Sequence, residues 1–292
     1  MNMNFSSADI KELRDKSGAG MMDCKKALDE SNGDIEKAIE WLRKKGINTA
    51  QKKSTRSALD GLVTVHTTAN QAVMIEVNAE TDFVARNEIF QKFCDELAQT
   101  CVINGCKDID SLLNSNFLNS SKNVKDSLTD IIAKLGENII IRKLKYIGES
   151  EFKFQKYLHN AINQKSGKIG VLLVFSNKNN SKYTDDFAKN ICMHIAATDP
   201  KSKDIDSLDS SLVEKEKVIY AEQLKTSNKP EDIIKKIIEG KVKKYFEEVC
   251  LLEQTFVIDN KTKIKDCISA FNKEHNDDFN IANYHIFKLG QE

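Results

Sequence analysis

Two short runs constrain the fold of this chain more than anything else in it: residues 61–68 (GLVTVHTT) and 72–77 (AVMIEV). Both are rich in β-branched residues. Only Ala69, Asn70 and Gln71 separate them, so they read as an antiparallel hairpin. A lone hairpin is marginal in water and needs more strands or helices to cover its apolar face. Helical periodicity stands on both sides of this one, which makes the chain α+β.

Upstream, residues 1–47 read as three short helices in a compact module. Ser6 and Asp9 offer a capping box, and Ile10 and Leu13 supply an apolar stripe. SGAG at 17–20 breaks that helix, since two glycines in four residues favour a turn. In the next segment Met21, Cys24, Ala27 and Leu28 recur at helical spacing, and Asn32-Gly33 ends it. Asp34 caps a third helix, in which Ile35, Ala38, Ile39 and Leu42 form the stripe and Gly46 closes the pattern. Residues 48–60 (NTAQKKSTRSALD) are small, polar and basic and read as a linker, although the Ala and Lys content also suits an exposed helix.

Residues 61–148 form one α+β subdomain. After the hairpin comes a helix with Ile89, Phe93, Leu97 and Cys101 on one face, then a polar helical stretch at 107–135 and a strand at 137–147 (ENIIIRKLKYI). Residues 149–292 repeat this order. GVLLVFSN at 170–177 takes the place of the 61–68 run, a helix at 185–199 echoes the earlier one, and NYHIFKL at 283–289 closes as a strand. Two related halves with small antiparallel sheets follow. Two charged helical segments within about 208–252, parted by SNK and restarted at Pro230, read as an antiparallel helical hairpin inserted in the second half.

The chemistry of an enzyme is missing from the pattern. Basic and acidic residues balance at 44 each, so no global field favours nucleic acid or anionic lipid. No run reaches the roughly eighteen apolar residues of a membrane span. The N-terminus has neither a signal core nor an Arg-rich transit segment, which sets the expected location in the cytoplasm. Seven scattered cysteines form no C-x-x-C, and five histidines are dispersed, with His194 suited to a hydrogen-bonded core position. Catalytic residues, cofactor and metal are all expected to be absent; a thiol enzyme using Cys94 with His66 is the weakest reading.

Surface is what remains. In NAETDFVARNE at 78–88 a strand gives way to a helix through Thr81, Asp82, Phe83 and Val84. Phe83 is either a staple folded back over the following helix or a side chain held out for a partner. Met21 and Met22, beside Lys25 and Lys26, either pack the module or offer a soft apolar contact ringed by charge.

Taken together, LRDKSGAGMMDCKKALDESNGDIEKAIEWLRKKG and EVNAETDFVARNEIF resemble the elongation factor Ts family. So do LGENIIIRKL, GKIGVLLVF, MHIAATDP, the long NKPEDIIKKIIEGKVKKYFEEVCLLEQTFVID and YHIFKLG, all in the family's order. The resemblance implies an N-terminal module like the ubiquitin-associated (UBA) domain. It also implies two related α+β subdomains, the second with the hairpin insertion. The implied function is guanine-nucleotide exchange on elongation factor Tu, in its GDP-bound and nucleotide-free forms. Within it, Thr81, Asp82, Phe83 and Val84 dislodge the partner's Mg²⁺, and Arg14, Met21, Met22 and Lys25 grip its nucleotide-binding domain. No nucleic acid or membrane partner is implied, and a homodimer stays open. An adaptor that uses only the UBA-like module, without exchange activity, is the alternative. The stretch at 158–170 is longer than the family's turn, so a role there passes to His159 only loosely, and Thr255 stands where proline is common.

Overall fold

The computed structural model describes residues 5–148, 151–179, 181–225 and 230–291. Its first three helices are α1 (Ser7–Ser17), α2 (Met21–Glu30) and α3 (Ile35–Lys53). Ser6 and Asp9 form the capping box of α1, and Gly18 ends it in the left-handed conformation at φ 67°. Leu13, Cys24, Ala27, Leu28 and Ala38 bury the module's core, with Trp41 and Leu42 packed at its edge.

Gly46 does not close α3. It lies in mid-helix and buried, and a Cβ built on it would come within 3.6 Å of Ala133 Cβ and 3.8 Å of Thr129 Cγ2 on the helix it packs against. A mid-helix glycine costs about 1 kcal/mol against alanine. At those distances a methyl group would be in ordinary contact, so the neighbouring helix does not demand glycine here, and α3 simply continues through it. The first six residues of the expected linker, 48–53, are therefore helix, and Ala50 reaches the core of the next unit.

Strands β1 (Asp60–Thr67) and β2 (Ala72–Ala79) form the hairpin, and β3 (Ile140–Ile147) pairs with the other edge of β2. Strand β4 (Lys153–His159) opens the second sheet. The two-residue β5 (Ser166–Gly167) crosses back to pair with β1, and β6 (Ile169–Ser176) with β7 (Asn280–Lys288) completes the order β4-β6-β7. The first sheet runs β3-β2-β1-β5.

The two sheets pack face to face through Val63, Val65 and Met74 on one side and Leu172 and Val174 on the other. Gly170 permits the closure: a Cβ there would lie 2.6 Å from Val63 Cγ1. The opposite faces carry helices. α4 (Asp82–Arg86), α5 (Glu88–Asn104), α6 (Ile109–Asn114) and α7 (Val124–Leu135) cover the first sheet, and Phe90, Phe93, Leu97 and Cys101 point inward from α5. The buried stripe thus begins at Phe90, with Ile89 at the exposed margin. α8 (Lys182–Thr198) and α11 (Ile264–His275) cover the second sheet.

The halves match differently from the sequence expectation. β6 is central in its sheet and leads into the helix layer that covers it, as β2 does through the short α4, and both strands shift register against the closing strand, at Glu76/Val77 and Val174/Phe175. The counterpart of 170–177 is therefore β2 and not the 61–68 run. β4 plays the part of β1, and its signal was a period-two pattern: Phe152, Phe154 and Leu158 all face the seam between the sheets. Between α8 and α11 stand α9 (Ser210–Leu224) and α10 (Glu231–Val249), which run antiparallel. Lys241 reaches Gln223 at 2.7 Å and Tyr220 by a cation–π contact, while Tyr245 packs with Leu208 and Leu212 at the base. Pro230 is the N-cap of α10, not its first helical residue, and the turn at 227–229 lies outside the described residues.

Candidate functional site

The ladder between β2 and β3 ends at Asn78↔Ile140. Beyond it two carboxylates replace backbone pairing. Glu137 Oε2 accepts the backbone N–H groups of Glu80 and Thr81, each at 3.0 Å, and its Oε1 accepts the Thr81 hydroxyl at 2.6 Å. In return Glu80 Oε1 accepts the backbone N–H of Asn138 at 2.7 Å. That N–H is the main cause holding the Glu80 carboxyl below its ordinary pKa, with the Arg56 guanidinium 3.4 Å away adding to it. The Asn138 side chain donates to the Arg56 carbonyl at 2.8 Å. Of these residues sequence reasoning singled out Thr81 alone, and not Glu80, Glu137, Asn138 or Arg56. An acid directly after a glycine helix stop, as in LGEN, was the available signal.

The short α4 then settles which way the T-D-F-V side chains face. Val84 and Ala85 turn into the first core. Asp82 and Phe83, on the other side of that single turn, face outward. Phe83 is 82% exposed, and the staple over α5 is not formed. Asp82 lies 3.8 Å from Arg86, an exposed pair of little energetic weight.

On the module, Met21 and Met22 are 59% and 75% exposed, so neither packs the bundle. Cys24, Ala27 and Leu28 fill that role instead. Arg14 is exposed and Lys25 half-buried. These residues stand on α1 and α2, elements separate from the α4 turn that carries Phe83. One link between the groups is α3, which packs along α7 and whose Lys53 ammonium donates to the carbonyl of Gly136, the residue before Glu137.

The thiol reading fails on burial, which pushes the Cys94 thiol far above its ordinary range and leaves no thiolate at neutral pH. Desolvation likewise lowers His66. His194 is the expected core histidine: Nε2 sits 2.9 Å from Gln254 Oε1, and Nδ1 accepts from the Val257 N–H at 3.3 Å. No helix among the described residues is long and apolar enough to cross a membrane.

The distinctive side chains of this fold are thus presented outward on a braced turn and a helical module, the arrangement of a protein that works through contact with another macromolecule. The family model for elongation factor TS matches residues 80–291. The chain is 42% identical to elongation factor Ts of Magnetococcus marinus, over 99% of its own length and 94% of that protein's. It is 42% identical to the one of Rhodospirillum centenum, covering 98% and 93%, and 41% identical to the one of Rickettsia felis, covering 99% and 93%. The chain belongs to the elongation factor Ts family.

Proposed function

We propose that Phe83, with Asp82 beside it, acts as the wedge that loosens nucleotide in the partner GTPase. The chain is a guanine-nucleotide exchange factor for elongation factor Tu in translation elongation, as its family implies. The adaptor alternative is not favoured, since likeness to the family spans nearly the whole chain and not the module alone.

The single observation that carries the wedge is the 82% exposed phenyl ring on a turn braced from behind by Glu137. In a P-loop GTPase, Mg²⁺ and the phosphate-binding backbone neutralise the diphosphate. Mg²⁺ demands a near-octahedral shell, so an aromatic that displaces the elements around it weakens the metal and then the GDP. By linkage, GDP weakens the factor's hold on the GTPase in the same ratio. Thr81 and Val84 frame the wedge by anchoring it to the fold. Arg14, Met21, Met22 and Lys25 supply a second grip, on the nucleotide-binding domain, in both the GDP-bound and the nucleotide-free complex. The cytoplasm is where this exchange takes place.

Magnitude limits what one ring can do. Burying a Phe contributes about 1.5–3 kcal/mol, or roughly one to two orders of magnitude in GDP affinity. Phe83→Ala is therefore expected to slow factor-stimulated release of a fluorescent GDP analogue by about 10–100-fold. Much of the affinity for nucleotide-free elongation factor Tu should remain. A release rate equal to that of the unaltered factor would remove Phe83 from the mechanism.

A further inference from the structure

We infer that Glu137 is a positioning residue for exchange: its carboxylate holds the turn so that Phe83 is aimed before the partner arrives. The inference rests on the wedge reading above.

Helix α4 has only five residues, too few to sustain itself, because a single turn fixes several dihedrals for one hydrogen bond. Its N-cap, Thr81, makes no side-chain bond to its own helix. A threonine at that position ordinarily accepts a hydrogen bond from the first turn. Here the hydroxyl is spent on Glu137 at 2.6 Å instead, and the two preceding amides of the turn point at the same carboxylate. Orientation of the helix is therefore set from outside it, by a residue 54 positions beyond Phe83 in the chain.

Glu137 is itself fixed on both sides. Gly136 before it ends α7 at φ 73° and accepts the Lys53 ammonium, and Asn138 after it donates to Glu80 and to the Arg56 carbonyl. A wedge that must enter another protein loses less entropy when its direction is preset. Hydrogen bonds to a charged acceptor are the stronger kind, and Glu137 collects three of them. Glu137 touches neither GDP nor metal in this scheme; it acts only through the aim of Phe83.

A double-mutant cycle of Glu137→Ala and Phe83→Ala tests this, read as GDP-analogue release from elongation factor Tu at saturating factor. Glu137→Ala is expected to slow maximal release about tenfold, with the half-saturating factor concentration nearly unchanged. In the Phe83→Ala background the same substitution is expected to have no further effect, because an aim without a ring has nothing to lose. Glu137→Gln, which keeps one acceptor oxygen, should fall between and serves if the alanine variant folds poorly. Equal slowing in both backgrounds would assign Glu137 a merely structural role and overturn the inference. No slowing, while Phe83→Ala alone does slow release, would overturn it and leave the wedge standing. A Phe83→Ala variant as fast as the unaltered factor would sink the wedge, and the aiming role with it.

Discussion

The two halves of the core build the same clamp and use it differently. In the first, an acid just after the left-handed cap of α7 accepts two consecutive backbone N–H groups at the end of the central strand. In the second, Asp277 follows the left-handed cap of α11, Asn276 at φ 48°. Its Oδ1 accepts the N–H groups of Lys178 and Asn179 at 2.7 and 3.1 Å, and Oδ2 accepts the Thr184 hydroxyl at 3.2 Å. What stands in front of each clamp is not the same. Ser181 caps α8 by its own side chain, and Tyr183, although 66% exposed, stacks on His275 with centroids 5.0 Å apart. No ring pairs with Phe83 among the described residues. The clamp is thus a property of the fold, and the unpartnered aromatic is a property of one half.

The sharpest division between the halves lies behind the clamps. Two residues past Glu137 is Ile139; two past Asp277 is Phe279, which is buried, stacks on Phe175 at 5.0 Å and meets Phe187 edge-on. Phe279→Ala is expected to cost about 3–5 kcal/mol of stability in chemical denaturation. The folded fraction should still stimulate GDP release normally, because the Phe83 turn belongs to the other core. Loss of exchange in fully folded Phe279→Ala protein would show that the halves do not act separately.

A smaller effect is expected from acid. Burial, with Lys145 nearby, lowers the His285 pKa to about 4 from an ordinary 6.5. Between those values the unfolded chain binds the extra proton and the native chain does not, so stability falls as pH drops through that window. The loss is on the order of 1–3 kcal/mol. Substituting His285→Gln should flatten the slope in denaturation midpoints measured from pH 7 to pH 4. The slope should not vanish, since buried His194 is lowered in the same sense. An unchanged slope would take His285 out of the balance.

The smallest effect concerns the second turn. Tyr183→Ala should cost about 0.5–1.5 kcal/mol of stability through the lost stack and leave GDP release untouched. Slowing comparable to that of Phe83→Ala would mean that both clamps present functional side chains, and the contrast between the halves would disappear.

Much of this was legible in the sequence, for reasons that can be named. The capping box of α1, the hairpin and the long amphipathic helices follow from local rules, and the T-D-F-V turn stood out as a loop carrying an aromatic. The direction in which Phe83 faces depends on Val84 and Ala85 finding a core, which spacing within five residues cannot decide. Gly46 misled because a local rule favours stopping a helix there, while the packing of α3 along α7, far away in the chain, extends past it. The clamping bonds of Glu137 and Asp277 were invisible for the same reason: they join segments about 57 and 98 residues apart, as set by the fold and not by sequence neighbours. β4 was missed although its alternation was present, because Lys156 interrupts the apolar positions Phe152, Phe154 and Leu158.

The continuation of α3 into the first six residues of the expected linker has a consequence for how the two proposed contact regions would cooperate. Were the N-terminal module tethered by a floppy strand, its capture of a partner would still leave the phenyl ring to search for its target across a volume set by the tether. On the proposed two-point grip, a helical strut seated on α7 removes that search: with one end engaged, the other would already be delivered at high local concentration. Inserting a few glycines near Gly46 would turn a single two-point engagement into two sequential ones.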